Sequence, residues 1–412
     1  MFDAMDTGII AFVLPVLMAK WGLTTEQVGF IGSVGLLGMA VGAVLSGLAA
    51  DRFGRKNVFA VTLLIYSVAT GCCAAADSFN VLLVLRFFVG FGLGGELPVA
   101  ATLLTEYCPS AKRGRFVVLL ESFWGVGWLI AALIAYLVIP RYGWQMAFII
   151  GALPALYVFV IRLSAPESVR YLIDKGKTLE AHTIVSAIER SVGIEPPEFA
   201  AVSPRSEKSV VTFSGLWTGR FIRRTIMLWL LWFGIVYSYY GIFTWLPSLL
   251  VGQGHTVIKT FEYVLIITVA QLPGYFSAAY LVDRWGRKPT LTLYLAMSAV
   301  CAYWFGHAGS VANVLLWGSL MAFFNLGAWG IVYTYTPELY PTAIRATGSG
   351  WAAAVGRFGG MLAPVAVGYM VNGPGGFTKV FAMFTVVMLV IAVVVWALGE
   401  ETKGKALETI SE

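Results

Sequence analysis

Six charged side chains interrupt otherwise apolar runs of this chain: Asp3, Asp6, Arg86, Glu96, Glu121 and Arg357. A charge at the centre of a membrane-spanning helix costs ~2.5–3.5 kcal/mol on insertion scales, so each marks a candidate ion, proton or substrate site. Asp3 and Asp6 stand three residues apart, on one face of a helix. Carboxyls in such settings suit proton uptake and release, because losing a cationic partner makes a carboxylate easier to protonate. Other readings stay open here: Asp6 with Arg86 as a structural ion pair, and Glu96 and Glu121 as caps for backbone groups in bent helices. Aromatic and amide side chains form a second set. Glu121, Trp124 and Trp128 share one helical face, Gln271 and Tyr275 another, and Asn325, Trp329 and Tyr333 step by four. Tyr239 and Tyr240 lie in the run Tyr237–Phe243. All facing a central cavity, these stripes would converge; ordinary packing is the alternative. No spaced metal pattern, nucleotide loop or nucleophile–base pair is present, so neither a metal, a cofactor nor an enzyme is expected. Cys72, Cys73, Cys108 and Cys301 read as small packing residues.

The elements that must carry these groups are membrane helices. Of 412 residues, 58% are hydrophobic and 12% charged, and the mean hydropathy is +0.80. That leaves too little charge to cover a soluble protein of this length. The run Gln27–Ala50 and the run Asn57–Ala76 each exceed or approach the ~20 apolar residues that cross a bilayer. Between them lies the cationic hairpin Asp51-Arg52-Phe53-Gly54-Arg55-Lys56, which returns as Asp283-Arg284-Trp285-Gly286-Arg287-Lys288, 232 residues later. The same offset pairs Pro15 with Pro247, Glu106 with Glu338, Pro109 with Pro341 and Arg113 with Arg345. This is an internal duplication. Hairpins of like orientation require an even number of spans per repeat, and such paired halves hold a substrate between them near the midplane.

The expected architecture is an all-α membrane protein with twelve transmembrane helices in two six-helix pseudo-repeats. The first half covers 1–161, a cytoplasmic linker with short helices 162–224, the second half 225–398, and a tail 399–412. Of 28 Lys and Arg, 22 fall in the predicted inner segments and four in the outer loops. This bias places both ends in the cytoplasm, so the net charge of +6 is no nucleic-acid signal; the inner membrane is the expected location. About a dozen apolar residues separate Asp6 from Lys20, too few for a span, so the first helix is expected to need residues upstream.

The two hairpins resemble the signature loop of the major facilitator superfamily, at matched positions in both halves. The resemblance implies a gate latch in which Asp51 and Asp283 pair with arginines and helix ends on the closed inner face. Arg55, Glu106, Arg113, Arg287, Glu338 and Arg345, at the inner ends of spans, are the other candidate gate residues. Arg86-x-x-x-Gly90-x-Gly92, Pro166-Glu167-Ser168-Val169-Arg170-Tyr171-Leu172, Glu401-Thr402-Lys403-Gly404 and Asp6-Thr7-Gly8 resemble sugar-porter motifs. Proton-coupled members of that group imply that Asp6 takes the proton and Arg86 partners it. The seventh span departs: it has Tyr237-Ser238-Tyr239-Tyr240-Gly241 where sugar porters carry glutamines and an asparagine.

Finer matches resemble bacterial niacin and nicotinamide permeases: Phe2-Asp3-Ala4-Met5-Asp6, Gly94-Gly95-Glu96-Leu97-Pro98-Val99, Leu119-Leu120-Glu121-Ser122-Phe123-Trp124, Ala270–Phe276 and Phe323–Gly330. The implied ligand is a flat pyridine bearing a carboxylate. Its ring wants aromatic faces, here Trp124, Trp128, Tyr239, Tyr240 or Trp329. Its carboxylate wants a guanidinium, Arg86 or Arg357, and its nitrogen or a carboxamide could use Gln271 or Asn325. The expected protein is thus a monomeric, proton-coupled permease working by alternating access. A symporter for another small aromatic acid or a sugar is the alternative within transport. A sensor that moves nothing is the alternative outside it, disfavoured because both hairpins are intact.

Overall fold

A computed structural model describes residues 1–107, 113–164, 166–191, 193, 213–219, 221–341 and 344–403. The side chains of Asp51, Glu106, Arg113 and Glu121, and Cys108 entirely, lie outside the described part. Every regular element described is helical. The first six passes are α1 (Phe2–Trp21), α2 (Thr25–Phe53), α3 (Arg55–Cys73), α4 (Phe79–Tyr107), α5 (Arg113–Leu137) and a broken pass. That broken pass comprises α6 (Ile139–Tyr142), α7 (Trp144–Gly151), a 3-10 turn at Leu153–Leu156 and α8 (Tyr157–Ser164). Two short helices, α9 (Val169–Asp174) and α10 (Thr178–Ser191), lead on. The next six passes are α11 (Phe221–Gly252), α12 (Val257–Val269) continued by α13 (Gln271–Trp285), α14 (Arg287–Gly306), α15 (Val311–Glu338), α16 (Arg345–Met370) and α17 (Gly376–Leu398). Eight of the described stretches are long and apolar enough to cross a membrane, counting α12 with α13 as one.

Local chemistry explains most of the boundaries. Thr24 and Gln27 form a capping box at the start of α2, and Thr256 and Ser310 cap α12 and α15 by accepting from the N–H three residues on. The cap at Thr256 starts the eighth pass about five residues earlier than its hydropathy suggests. The sixth pass, expected as one helix over Trp144–Ile161, breaks around Pro154, which has no N–H to donate. The eighth breaks at Ala270, ahead of Pro273. The apolar count between Asp6 and Lys20 understates the first span. α1 is 20 residues long because it takes in both aspartates, each buried against neighbouring helices.

Small residues set how closely the helices approach. At Gly38 and Gly42 of α2, and at Gly90 and Gly94 of α4, an added methyl would run into the backbone of the other helix. In lipid such close packing, rather than hydrophobic burial, joins helices. Between the first and second sets of passes, α2 lies along α16, α1 along α11 and α5 along α12.

We term the end carrying the Arg52–Lys56 and Arg284–Lys288 hairpins the basic end. The α2–α16 contact is concentrated at the other end. There Gly29 and Gly32 abut Pro364, and Gly368 abuts the Thr25 carbonyl. Ser33 donates to the Met361 carbonyl at 2.6 Å and Asn372 to Glu26 at 2.7 Å.

Both hairpins turn on a glycine in the left-handed half of backbone space, Gly54 (φ 94) and Gly286 (φ 103). Each is clasped by a carboxylate from beyond the sixth pass of its own set. Glu167 accepts from the N–H groups of Arg55 (3.0 Å) and Lys56 (3.2 Å), and Glu401 from those of Arg287 and Lys288 (both 3.0 Å). These are the orphan donors at the starts of α3 and α14, where negative charge is favoured. Arg55 also bonds the Ser168 hydroxyl, and Arg287 pairs with Glu338 at 2.9 Å. Alanine at Glu167 or Glu401 is expected to lower stability by about 1–2 kcal/mol, the size of a lost helix cap. Thermal unfolding in detergent measures this, and unchanged midpoints in both variants would show that the clasps carry no weight.

Candidate functional site

An aromatic cavity lies where α2, α5, α11, α15 and α16 meet. Leu36 and Met39 line it from α2, Trp124 from α5, Trp232, Val236 and Tyr240 from α11, Trp329 and Tyr333 from α15, and Ala353 and Arg357 from α16. Its volume of about 70 Å³ is far below the ~300–1,000 Å³ of drug-sized sites. The rings brace one another. Trp232 meets Tyr333 edge-on at 5.0 Å and donates through Nε1 to the Thr336 hydroxyl at 2.9 Å. Tyr239 tilts against Trp329 at 5.0 Å and against Phe243 at 4.9 Å. Its hydroxyl accepts from Trp124 Nε1 at 2.7 Å, a direct bond between the two halves of the chain.

One cation faces these rings. Arg357 lines the cavity, and among the described residues it has no ion pair or hydrogen bond. A guanidinium in the wall of such a cavity offers a planar fork for a carboxylate.

Arg86 is differently placed. It donates to Asp6 at 2.8 Å, both side chains being buried, and Asp6 also accepts from Thr70 at 2.7 Å. Arg86 borders a narrower cleft with Thr7, Gly35, Tyr240 and Thr244, which shares Leu36, Met39 and Tyr240 with the aromatic cavity. Its Nε has no partner among the described residues. Removing either member of a buried pair leaves an uncompensated charge at ~3–5 kcal/mol, so this pair holds α1 to α4.

The remaining predicted residues divide. Trp124, Tyr240, Trp329 and Arg357 line the cavity. Tyr239 stands immediately behind them, and Trp128 is fully buried against Gly8, Tyr239 and Phe243. Gln271 and Asn325 are fully buried with both amide atoms unpartnered among the described residues, and neither lines the cavity. Asp3 is buried on α1, and Glu96 Oε2 on α4 is buried without a partner among the described residues. Asp283 is exposed at the basic end, and Arg345 donates to the Tyr340 carbonyl at 3.2 Å. Trp232 was not singled out in the sequence. Its signal was the step of four through Val236 to Tyr240, one face of α11. A larger cavity of about 680 Å³ opens at the end away from the hairpins, beside Trp245, His307 and Asn372. Among the described residues no Lys or Arg lines it, and it shares no wall with the aromatic one.

A family model described as sugar (and other) transporter matches residues 6–412. The chain belongs to this family. Its fold is the twelve-span major facilitator fold. The xylose transporter XylE of E. coli, in a partially occluded inward open conformation, superposes with a TM-score of 0.78 over 98% of this chain and 96% of its own, at 19% identity. Among sugar-transporter family members, the chain is 59% identical over 410 residues to the niacin transporter NiaP of Acinetobacter baylyi, covering 100% of this chain and 93% of that one. It is 46% identical over 408 residues to the putative niacin/nicotinamide transporter NiaP of Bacillus subtilis, covering 99% and 95%. It is a multi-pass membrane transporter and not an enzyme.

Proposed function

We propose that this chain imports niacin, and nicotinamide less strongly, by alternating access coupled to protons. The observation that carries the reading is the unpartnered Arg357 guanidinium facing a cage of Trp124, Trp232, Tyr240, Trp329 and Tyr333. The relatives named as niacin transporters support it at full length. The carboxylate would lie on Arg357 and the pyridine between rings, with Arg86 one layer away at the shared Tyr240 wall. The basic end is cytoplasmic, as are both termini, and the membrane is the inner one. The contact of α2 with α16 then closes the outer side, and the hairpins with Asp51, Arg55, Glu106, Arg113, Asp283, Arg287, Glu338 and Arg345 form the inner gate. The halves are joined in one chain, so a monomer suffices.

Coupling follows from charge. Niacin is an anion at neutral pH, and entry against a negative interior costs ~2.3 kcal/mol per 100 mV. One accompanying proton makes the cycle electroneutral. The decisive experiment is uptake of labelled niacin by cells lacking their own niacin permease, with nicotinamide and benzoate as competitors. Uptake no faster than in empty-vector cells would end this reading; stronger competition by benzoate than by unlabelled niacin would favour another aromatic acid.

The cage makes a further expectation. Trp124→Ala and Tyr240→Ala should each weaken niacin binding by roughly 1 kcal/mol, the low end of ring-stacking losses, while Trp128→Phe should matter less because Trp128 lies behind Tyr239. Quenching of intrinsic fluorescence by the ligand gives the affinities. Wild-type affinity in both alanine variants would reduce the cage to packing.

A further inference from the structure

The larger cavity, at the end away from the hairpins, has no part in the transport reading above. Its volume of about 680 Å³ falls within the ~300–1,000 Å³ of small-molecule sites. Both halves of the chain enclose it. Met18 of α1 and Thr25 of α2 come from the first half, and Trp245 and Ser248 of α11, His307 at the end of α14 and Phe377 of α17 from the second. Among the described residues neither Lys, Arg, Asp nor Glu lines it, so it offers nothing to pair with an ionic group. Hydrogen-bonding capacity is nevertheless unspent. The hydroxyls of Thr25 and Ser248 are buried without a partner among the described residues. Leaving such a group unbonded costs ~1–3 kcal/mol, which a ligand group reaching it would recover. His307 donates through Nδ1 to the Tyr303 carbonyl at 2.8 Å, since a carbonyl only accepts, and the neutral ring then keeps Nε2 as an acceptor. Trp245 and Phe377 add aromatic wall suited to a flat ring.

The cavity also stands on the crossing of α2 and α16. Trp245 donates through Nε1 to the Pro364 carbonyl at 3.0 Å. A side chain begun at Gly368 would meet the Thr25 carbonyl at 2.6 Å and the Trp245 ring at 3.4 Å, so the three positions abut. Asn372, also in the cavity wall, bonds Glu26 of α2. Parting α2 from α16 would take Thr25 away from Trp245 and Ser248 and divide the cavity between the halves. A ligand that uses both walls therefore binds only while the crossing is closed. It favours the closed state by as much as its affinities for the two states differ.

We propose that this cavity is a regulatory site for an uncharged molecule of about nucleoside size, one that joins a flat ring to several hydroxyl or amide groups. Its occupant holds the α2–α16 crossing shut. It leaves the aromatic cavity free for niacin but slows the reopening that every cycle needs. The effect on transport rests on the reading above, in which this crossing closes the outer side; the binding site itself does not.

The test uses the full-length protein with adenosine, inosine and uridine as probes. By calorimetry on the purified protein, at least one nucleoside should bind alongside niacin without being displaced by it. Adenosine monophosphate should bind more weakly than adenosine, because no cation among the described residues lines the cavity. Gln253→Trp, which fills the mouth from an exposed position, should abolish nucleoside binding. Ser248→Ala should weaken it about 2- to 10-fold, the size of one neutral hydrogen bond. Both variants should keep the wild-type affinity for niacin. In cells expressing the chain, external nucleoside should lower the maximal rate of niacin uptake, and excess niacin should not restore it. Binding by none of the three probes, displacement by niacin, tighter binding of the monophosphate, or wild-type nucleoside affinity in both variants overturns the site. An uptake rate unchanged by a nucleoside that binds overturns its hold on the crossing. A chain that takes up no niacin in nucleoside-free medium fails the transport reading instead, and calorimetry still decides the site.

Discussion

Replacing Arg357 with glutamine is expected to raise the dissociation constant for niacin about 10- to 150-fold. The estimate takes the ~1.5–3 kcal/mol attached to a hydrogen bond with a charged group, converted at 1.4 kcal/mol per tenfold. The size of the effect follows from position. Arg357 is the cavity's cation, its fork is unpartnered among the described residues, and the walls around it are rings rather than competing donors. Nicotinamide is uncharged and makes no such bond, so its affinity should fall much less. The ratio of the two affinities is the diagnostic, measured by calorimetry on the purified protein. Equal losses for both ligands would mean that Arg357 shapes the cavity without reading the carboxylate. A loss for niacin on Arg86→Gln alone would move the anchor to the adjoining cleft.

Valine at Gly29 should reduce transport at least tenfold by a different route. A side chain at that position meets the Pro364 carbonyl at 2.6 Å and the Val365 Cα at 3.0 Å, both backbone atoms with nowhere to go. The crossing of α2 and α16 would be forced apart at the end away from the hairpins. Gly368→Val, which would press on the Thr25 carbonyl from the opposite helix, should behave alike. A cysteine introduced at Glu26, now bonded by Asn372, would report the change as faster labelling by a membrane-impermeant thiol reagent. If Gly29→Val transports normally and the cysteine stays as slow to label as before, the crossing is not a seal.

The architecture was legible in the sequence because the same physical problem is solved twice. A tight turn between two apolar spans needs a glycine and tolerates cations, so the hairpin at Gly54 returns at Gly286 in register. The site was only half legible. Trp124, Tyr240, Trp329 and Arg357 were visible as polar or aromatic interruptions of apolar helices, yet Arg86 and Arg357 looked alike by that test. Only three-dimensional placement distinguishes them, one neutralised by Asp6 and the other facing rings. Trp232 was hidden because α11 is aromatic on several faces, so a step of four did not stand out. Gln271 and Asn325 carried a strong signal of buried polarity, but polarity alone does not say whether a side chain lines a cavity or lies behind one. The boundaries that moved, at Ala270 and around Pro154, are places where a proline cuts a continuous apolar run.

The carboxylate clasps bear on how such a chain arose. Glu167 and Glu401 each follow the sixth pass of their own set and reach back to its first hairpin, at Gly54 and Gly286. A unit copied only to the end of its last apolar helix would have left its hairpin unclasped. The ancestral segment therefore extended past that helix and included the acid. The acids are 234 residues apart, whereas the hairpins are 232 apart. Two residues have thus been gained or lost between hairpin and acid since the copying, and the closure they make has survived in both descendants. What looks like the start of a linker in one copy and a tail in the other is the same ancestral part.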